Sequence, residues 1–236
     1  MPDSVVFASA EPVGARPVVP VGTGLWRAGC SFLIGALPSA QLVARCAVGV
    51  DLRTAHPESV SATGAYRAAG LMPFLTVAAL DVAKGYAATR LAGRGRRTIA
   101  LHAALVVAGH NWSPFLRGSG GRGILPATGA LLCTDWKGAA LILGGPTLGY
   151  ACRESGLGAF ASQLLLLSDT LLTRKRRAAL PYVAAVLAPI WAKRILGNAW
   201  EVRAELPLAR YLERLLYDRD GSTSKGSDPS SASAAR

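Results

Sequence analysis

The sequence predicts an all-α fold: a polytopic integral membrane bundle of five to seven transmembrane helices. Three observations predict it. Hydrophobic residues make up 51% of the 236 residues and charged residues only 17%, against roughly 25% charged in a soluble domain. The apolar residues fall in long blocks, with no sustained alternation or heptad. The polar residues between the blocks are too few to clothe the surface of a soluble helical protein.

Residues 1–24 carry Pro12, Pro17 and Pro20 and read as an irregular segment. No basic stretch precedes an apolar core there, so no cleavable signal peptide is expected. The first apolar block covers residues 26–44. The second and third, 70–91 and 98–116, meet the length of about 17–25 residues that a bilayer crossing needs. The fourth, 123–152, is interrupted by Asp135, Trp136 and Lys137, and reads either as one crossing or as two short helices. The fifth and sixth, 157–173 and 178–192, are short for a full crossing. Within 201–217, Leu208, Tyr211, Leu212, Leu215 and Leu216 recur at helical spacing opposite Arg210, Glu213 and Arg214. That pattern is an amphipathic helix, lying on a membrane surface or packed on the core. The tail, 218–236, is rich in Ser, Gly and Ala and is expected to be disordered.

The net charge is +12. In a membrane protein such an excess reports topology, because Lys and Arg collect in cytoplasmic loops. The basic residues lie between apolar blocks and form no nucleic-acid-binding motif, so no nucleic acid is expected as a partner. Arg45, Arg53, Arg67, Arg117, Arg122 and the run from Arg174 to Arg177 share one side if the fourth block crosses once. That side is expected to be cytoplasmic. Cys30, Cys46, Cys133 and Cys152 show no metal-ligand spacing and read as small packing residues. No metal and no cofactor are expected.

Polar residues inside the apolar blocks are the candidates for chemistry, since ionisable groups are costly there. Asp81 and Lys84 are three apart in the second block, hence on one helical face. They form either a closed ion pair or an oriented ammonium offered to an anion. His110 ends the third block, as a structural or a reactive imidazole. Immediately after it runs a glycine-rich loop, Gly118-Ser119-Gly120-Gly121-Arg122-Gly123. Glycines let backbone N–H groups converge on an anion, and a guanidinium beside them grips phosphate by two hydrogen bonds. With Arg53 in the polar loop after the first block, three basic centres are available to a phosphorylated substrate. No Walker loop, zinc triad, G-x-S-x-G elbow or His-x4-Asp pair is present.

Taken in order, these pieces resemble the bacterial acyl-phosphate:glycerol-3-phosphate acyltransferase family. Gly35-Ala36-Leu37-Pro38 resembles its opening G-S-I-P. Asp51-Leu52-Arg53, Ala62-Thr63 and Arg67 fit its D-x-R-x-x-G-S-G-N-x-G-A-T-N-x-x-R loop without gaps. Leu80 to Gly85 matches L-D-x-x-K-G, and Gly109-His110 with Gly120-Gly121-Arg122-Gly123 matches G-H…G-G-K-G. The resemblance implies a membrane domain over 25–200 that moves an acyl group from acyl phosphate to the 1-hydroxyl of glycerol 3-phosphate, giving lysophosphatidic acid in the cell (inner) membrane. It implies that Gly120, Gly121, Arg122 and Gly123 hold the acceptor phosphate. Arg53 and Lys84 would then handle the second phosphate, with Asp81 orienting Lys84 and His110 beside the loop. Membrane lipids are the remaining expected partners.

The chain also departs from that pattern. Ala36 replaces Ser, His56 to Ser59 replace G-S-G-N, Gly64 replaces Asn, and Ser119 and Pro126 flank the glycine loop in place of Lys and Thr. The third motif survives only as an echo, Lys193 to Asn198, in which Asn198 stands as a candidate substrate ligand. A non-catalytic membrane protein on the same scaffold, binding lipid or a partner, is the competing reading. A small transporter is a third, and lacks the internal repeat expected of many transporters.

Overall fold

The computed structural model describes residues 21–55, 60–197 and 207–218. Among the described residues every regular element is helical. Helix α1 (Val21–Ala36) stops before Pro38, which lacks an N–H and cannot continue a helix. Helix α2 (Ser39–Val48) resumes on the other side of the break and ends on Gly49, whose positive φ closes the last turn. The apolar block at 26–44 is thus a broken helix. The polar loop folds into the short helices α3 (Leu52–Ala55) and α4 (Ala62–Ala69). Then come α5 (Leu71–Leu91) and α6 (Arg96–Asn111), followed by a 3-10 turn at Pro114–Leu116.

The fourth apolar block is two helices, α7 (Ile124–Leu132) and α8 (Trp136–Ala151). Asp135 separates them and caps α8, accepting from the Gly138 N–H at 3.1 Å. Helices α9 (Ser155–Leu172) and α10 (Leu180–Leu196) complete the bundle, and α11 (Leu208–Tyr217) packs on both. Val21 to Gly24, expected to be irregular, already belong to α1.

Small residues bring the helices together. A Cβ at Gly35 would strike the Val106 carbonyl, and one at Gly109 the Phe32 carbonyl, so α1 and α6 meet backbone to backbone. Gly85 and Gly129 do the same for α5 and α7, and Gly145 and Gly158 for α8 and α9. This is how helices associate in lipid, where no hydrophobic force acts between them and close van der Waals contact must serve. Buried polar ties add to it. Tyr182 donates to Ala130 O at 2.7 Å, and the Trp191 indole donates to Gln163 at 2.6 Å. Large apolar side chains face outward instead: Leu25, Met72, Leu148 and Leu172 are each more than 70% exposed. Among the described residues, four stretches are long and apolar enough to cross a membrane: Gly24–Val48, Leu71–Leu91, Ser155–Leu172 and Arg177–Leu196.

The fourth block does not cross once. Arg176 pairs with both Asp135 and Asp169, so the α7–α8 turn lies level with the α9–α10 turn. The far end of α8 meets the start of α9 through Gly149, level with Arg194 at the end of α10. Helices α7 and α8 therefore form a hairpin that returns to its starting face. The run Arg174 to Arg177 ends up opposite the glycine loop, on the face that also holds Arg27 and Arg90. The expected grouping of those four basic residues with Arg122 does not hold, because its condition of a single crossing is not met.

Candidate functional site

The α1–α2 break is the centre of the site. At the break the Leu37 carbonyl accepts from the Ser39 N–H at 2.9 Å and from the Lys84 ammonium at 2.6 Å. Lys84 Nζ also donates to Ser39 Oγ at 2.8 Å and to Asp81 Oδ1 at 2.9 Å. Ser39 in turn donates to Asp81 Oδ1 at 2.6 Å. An ammonium has three protons, and here each has an acceptor. Of the two sequence-level readings, the closed ion pair is the one formed: Asp81 and Lys84 are buried and clamp the break. Asp81 Oδ2 is buried with no hydrogen-bond partner.

His110 lies against this cluster from the end of α6. Its Nδ1 is 3.7 Å from Asp81 Oδ1, too long for a hydrogen bond but within charge range. The opposite edge of the ring, Nε2, abuts Gly121. The glycine loop lies directly on the end of α6. A side chain at Gly120 would enter the His110 and Asn111 carbonyls, one at Gly121 the His110 ring, and one at Gly123 the Asn111 side chain. The glycines are thus required by close approach as well as by the positive φ of Gly118 and Gly123. Ser113 pins the loop to α1, donating to Ala36 O at 2.6 Å. A crevice of about 10 Å³ lies between the break, Val60, His110, Ser113 and Gly120. It has room for about one water.

The remaining basic candidates are engaged by carboxylates. Arg122 Nε lies 2.7 Å from Asp218 Oδ1 at the end of α11. Arg53 sits on the outer loop. It grips Asp51 with two side-chain nitrogens, at 2.7 and 3.1 Å, while Arg45 holds the same carboxylate at 2.8 Å. The Arg53 hydrogen bond, aided by Arg45, holds the Asp51 carboxyl well below the usual carboxylate range, and Asp51 raises the Arg53 guanidinium in return. Asn198 lies outside the described residues, as do His56 to Ser59. The structure therefore brings together Asp81, Lys84, His110, Gly120, Gly121 and Gly123. Arg122 is adjacent to them, and Arg53 is held by its own loop.

Four further side chains enter the site. Ser39 was readable as a hydroxyl next to Pro38. Ser113 and Asn111 border the loop, and Asn111 Nδ2 donates to Pro189 O at 2.7 Å. Lys193 is buried inside α10, with Nζ 3.5 Å from Gly118 O and 5.4 Å from the centre of the Trp112 ring. The sixth apolar block, read as 178–192, leaves Lys193 just beyond its end. A lysine within apolar sequence was the signal that pointed to it.

The arrangement is a buried carboxylate–ammonium–imidazole cluster under a glycine loop, with cations at its rim. It suits the positioning of anions by backbone N–H groups and fixed charge.

Known proteins are similar to this chain in sequence and in fold. The sequence pattern described as glycerol-3-phosphate acyltransferase matches residues 25–198. Glycerol-3-phosphate acyltransferase 2 of Moorella thermoacetica is 40% identical over 43% of this chain, a stretch spanning 54% of that protein. Glycerol-3-phosphate acyltransferase 1 of Deinococcus radiodurans is 37% identical over 70% of this chain and 85% of its own length. Crystal structures of PlsY (YgiH), an integral membrane glycerol 3-phosphate acyltransferase, superimpose on the fold. The glycerol 3-phosphate form does so with a TM-score of 0.65 at 21% identity, covering 73% of this chain and 88% of PlsY. A lysophosphatidic acid form of PlsY aligns with a TM-score of 0.63 at 19% identity over the same shares of the two chains. With the family pattern running through the broken helix, the Asp81–Lys84 clamp and the glycine loop, the chain belongs to the glycerol-3-phosphate acyltransferase family.

Proposed function

We propose that this protein transfers an acyl group from acyl phosphate to the 1-hydroxyl of glycerol 3-phosphate, giving lysophosphatidic acid and inorganic phosphate. The observation that carries the reading is the glycine loop seated on His110, directly above the Asp81–Lys84 clamp. The acceptor phosphate rests on the backbone of Gly120, Gly121 and Gly123 and on Arg122. Its hydroxyl proton passes to His110 Nε2 and then to the departing phosphate. One acyl C–O bond to phosphate breaks and one to the acceptor forms. Acyl phosphate is a mixed anhydride, so orientation and charge neutralisation can supply most of the acceleration. Arg53, released from Asp51, neutralises the donor phosphate. Lys84 contributes its fixed charge and holds the break in shape, and Asn198 completes the rim.

The glycine-loop face is assigned to the cytoplasm of a cell that carries the protein in its inner membrane. Both substrates are phosphorylated anions that do not cross a bilayer unaided. The test of the reaction uses purified protein in nanodiscs with palmitoyl phosphate and radiolabelled glycerol 3-phosphate. Lysophosphatidic acid should form from palmitoyl phosphate. Robust transfer from palmitoyl-CoA alone would refute the donor assignment.

One set of observations favours the other reading, a non-catalytic lipid-binding member. The crevice holds about one water, Arg122 is engaged by Asp218, and all three Lys84 protons are used. Folded protein that transfers from neither donor would select that reading.

A further inference from the structure

Asp218 stands at a place where a carboxylate is unfavourable. It caps the C-terminus of α11 with φ 56° and ψ 35°, a left-handed conformation that Asp adopts more readily than most side-chain-bearing residues. Its charge sits at the negative end of a helix dipole. Cations offset that cost. Arg122 Nε is 2.7 Å from Asp218 Oδ1, and Arg194 is close enough to feel the charges of both. The end of α11 is fixed independently of that pair. Arg194 donates to Leu215 O at 2.7 Å and to Gly156 O at 2.9 Å, and Gly156 admits the Tyr217 carbonyl where a side chain would not fit. The carboxylate is thereby delivered to the one guanidinium of the glycine loop.

We infer that Asp218 is an affinity-setting residue for the phosphorylated acceptor, an internal carboxylate that competes with phosphate for Arg122. This rests on the proposed role of Arg122 as an acceptor ligand. A phosphate dianion brings more charge than a carboxylate and matches the guanidinium fork with two oxygens, so it displaces Asp218 at a cost in affinity. By linkage, a bound phosphate weakens the Asp218–Arg122 pair, and the pair weakens phosphate binding by the same factor.

The experiment measures glycerol 3-phosphate binding calorimetrically to the full chain in nanodiscs, so that no turnover is needed. Asp218→Asn should bind about tenfold tighter, one decade in the dissociation constant. Arg122→Ala should bind more weakly, and adding Asp218→Asn to it should change nothing further, because the competitor then has no site to compete for. Equal or weaker binding by Asp218→Asn, with Arg122→Ala still weakened, overturns the competitor and leaves the acceptor site standing. Unchanged binding in Arg122→Ala overturns the acceptor-site reading and the competitor with it. A gain in Asp218→Asn that persists without Arg122 also overturns the inference, since the carboxylate would then act elsewhere.

Discussion

Lys84 illustrates how a single buried charge is made tolerable. Its three protons meet Leu37 O, Ser39 Oγ and Asp81 Oδ1. Removing it leaves Asp81 buried and unpaired, which costs about 3–5 kcal/mol. Lys84→Ala should therefore lower the thermal unfolding midpoint in detergent sharply, and Asp81→Asn with Lys84→Met should recover much of the loss. Arg122 tests function rather than folding, because its partner lies on a peripheral helix. Arg122→Ala should weaken acceptor binding roughly 10- to 150-fold, the value of one charge-assisted hydrogen bond of about 1.5–3 kcal/mol. Arg122→Lys should recover part of it, since the charge stays while the fork is lost. An unchanged acceptor KM in stable Arg122→Ala protein would remove the loop from the site. Asp51 makes a pH prediction. Its folded pKa is depressed by Arg53 and Arg45, so its contribution is fully present above the unfolded value of about 3.9 and is lost only as pH falls through the lower, folded one. Between pH 5 and 8 the loop should not titrate through Asp51. An NMR titration of its carboxyl should show the midpoint rising toward the ordinary value in Arg53→Ala.

Among the elements, the broken helix and the glycine crossings carry the architecture. Pro38 forces the chain to restart at Ser39, and the restart puts the Leu37 carbonyl and the Ser39 hydroxyl within reach of α5. Pro38→Ala should favour one continuous helix through α1 and α2 and rotate Ser39 off Asp81. Activity should then fall by far more than the thermal midpoint does. A variant with full activity and an intact midpoint would show that the break is incidental. Helices α5 and α7 depend on Gly85 and Gly129. Gly129→Leu places a bulky side chain against the Val82 carbonyl, and overpacking of this kind costs about 1–3 kcal/mol or more. Reduced yield and a lower unfolding midpoint are the expected result, with Gly144→Leu as the control because a Cβ there meets nothing within 4 Å.

At the level of the whole molecule, the α7–α8 hairpin decides which loops share a face. Single cysteines at Ser119 and Lys175, in a background without the native Cys30, Cys46, Cys133 and Cys152, should label from opposite sides of the membrane. Impermeant maleimide should reach Lys175→Cys in intact cells and Ser119→Cys only after the inner face is opened. Labelling of both from one side would contradict the hairpin, and the reverse pattern would invert the proposed orientation. With Arg174 to Arg177 on the face opposite Arg122, loop charge is shared between the faces. Topology therefore has to be measured rather than counted from the sequence.

The helical membrane fold was legible in the sequence, because block hydropathy depends only on neighbours along the chain. The same locality made Asp81 and Lys84 readable as partners, being one helical turn apart, and let the glycine loop be placed beside His110. Other features were decided only by the path of the chain through space. The Leu37 carbonyl lies 47 residues from Lys84, and Arg122 meets Asp218 from a segment read as disordered tail. Arg53, read as one of three basic centres available to a phosphorylated substrate, is gripped by Asp51, two residues away. The physical reason is the same in each case. Periodicity reports which face of a helix avoids water or lipid, but which buried charge finds which acceptor depends on how the broken helix, the hairpin and the glycine crossings stack.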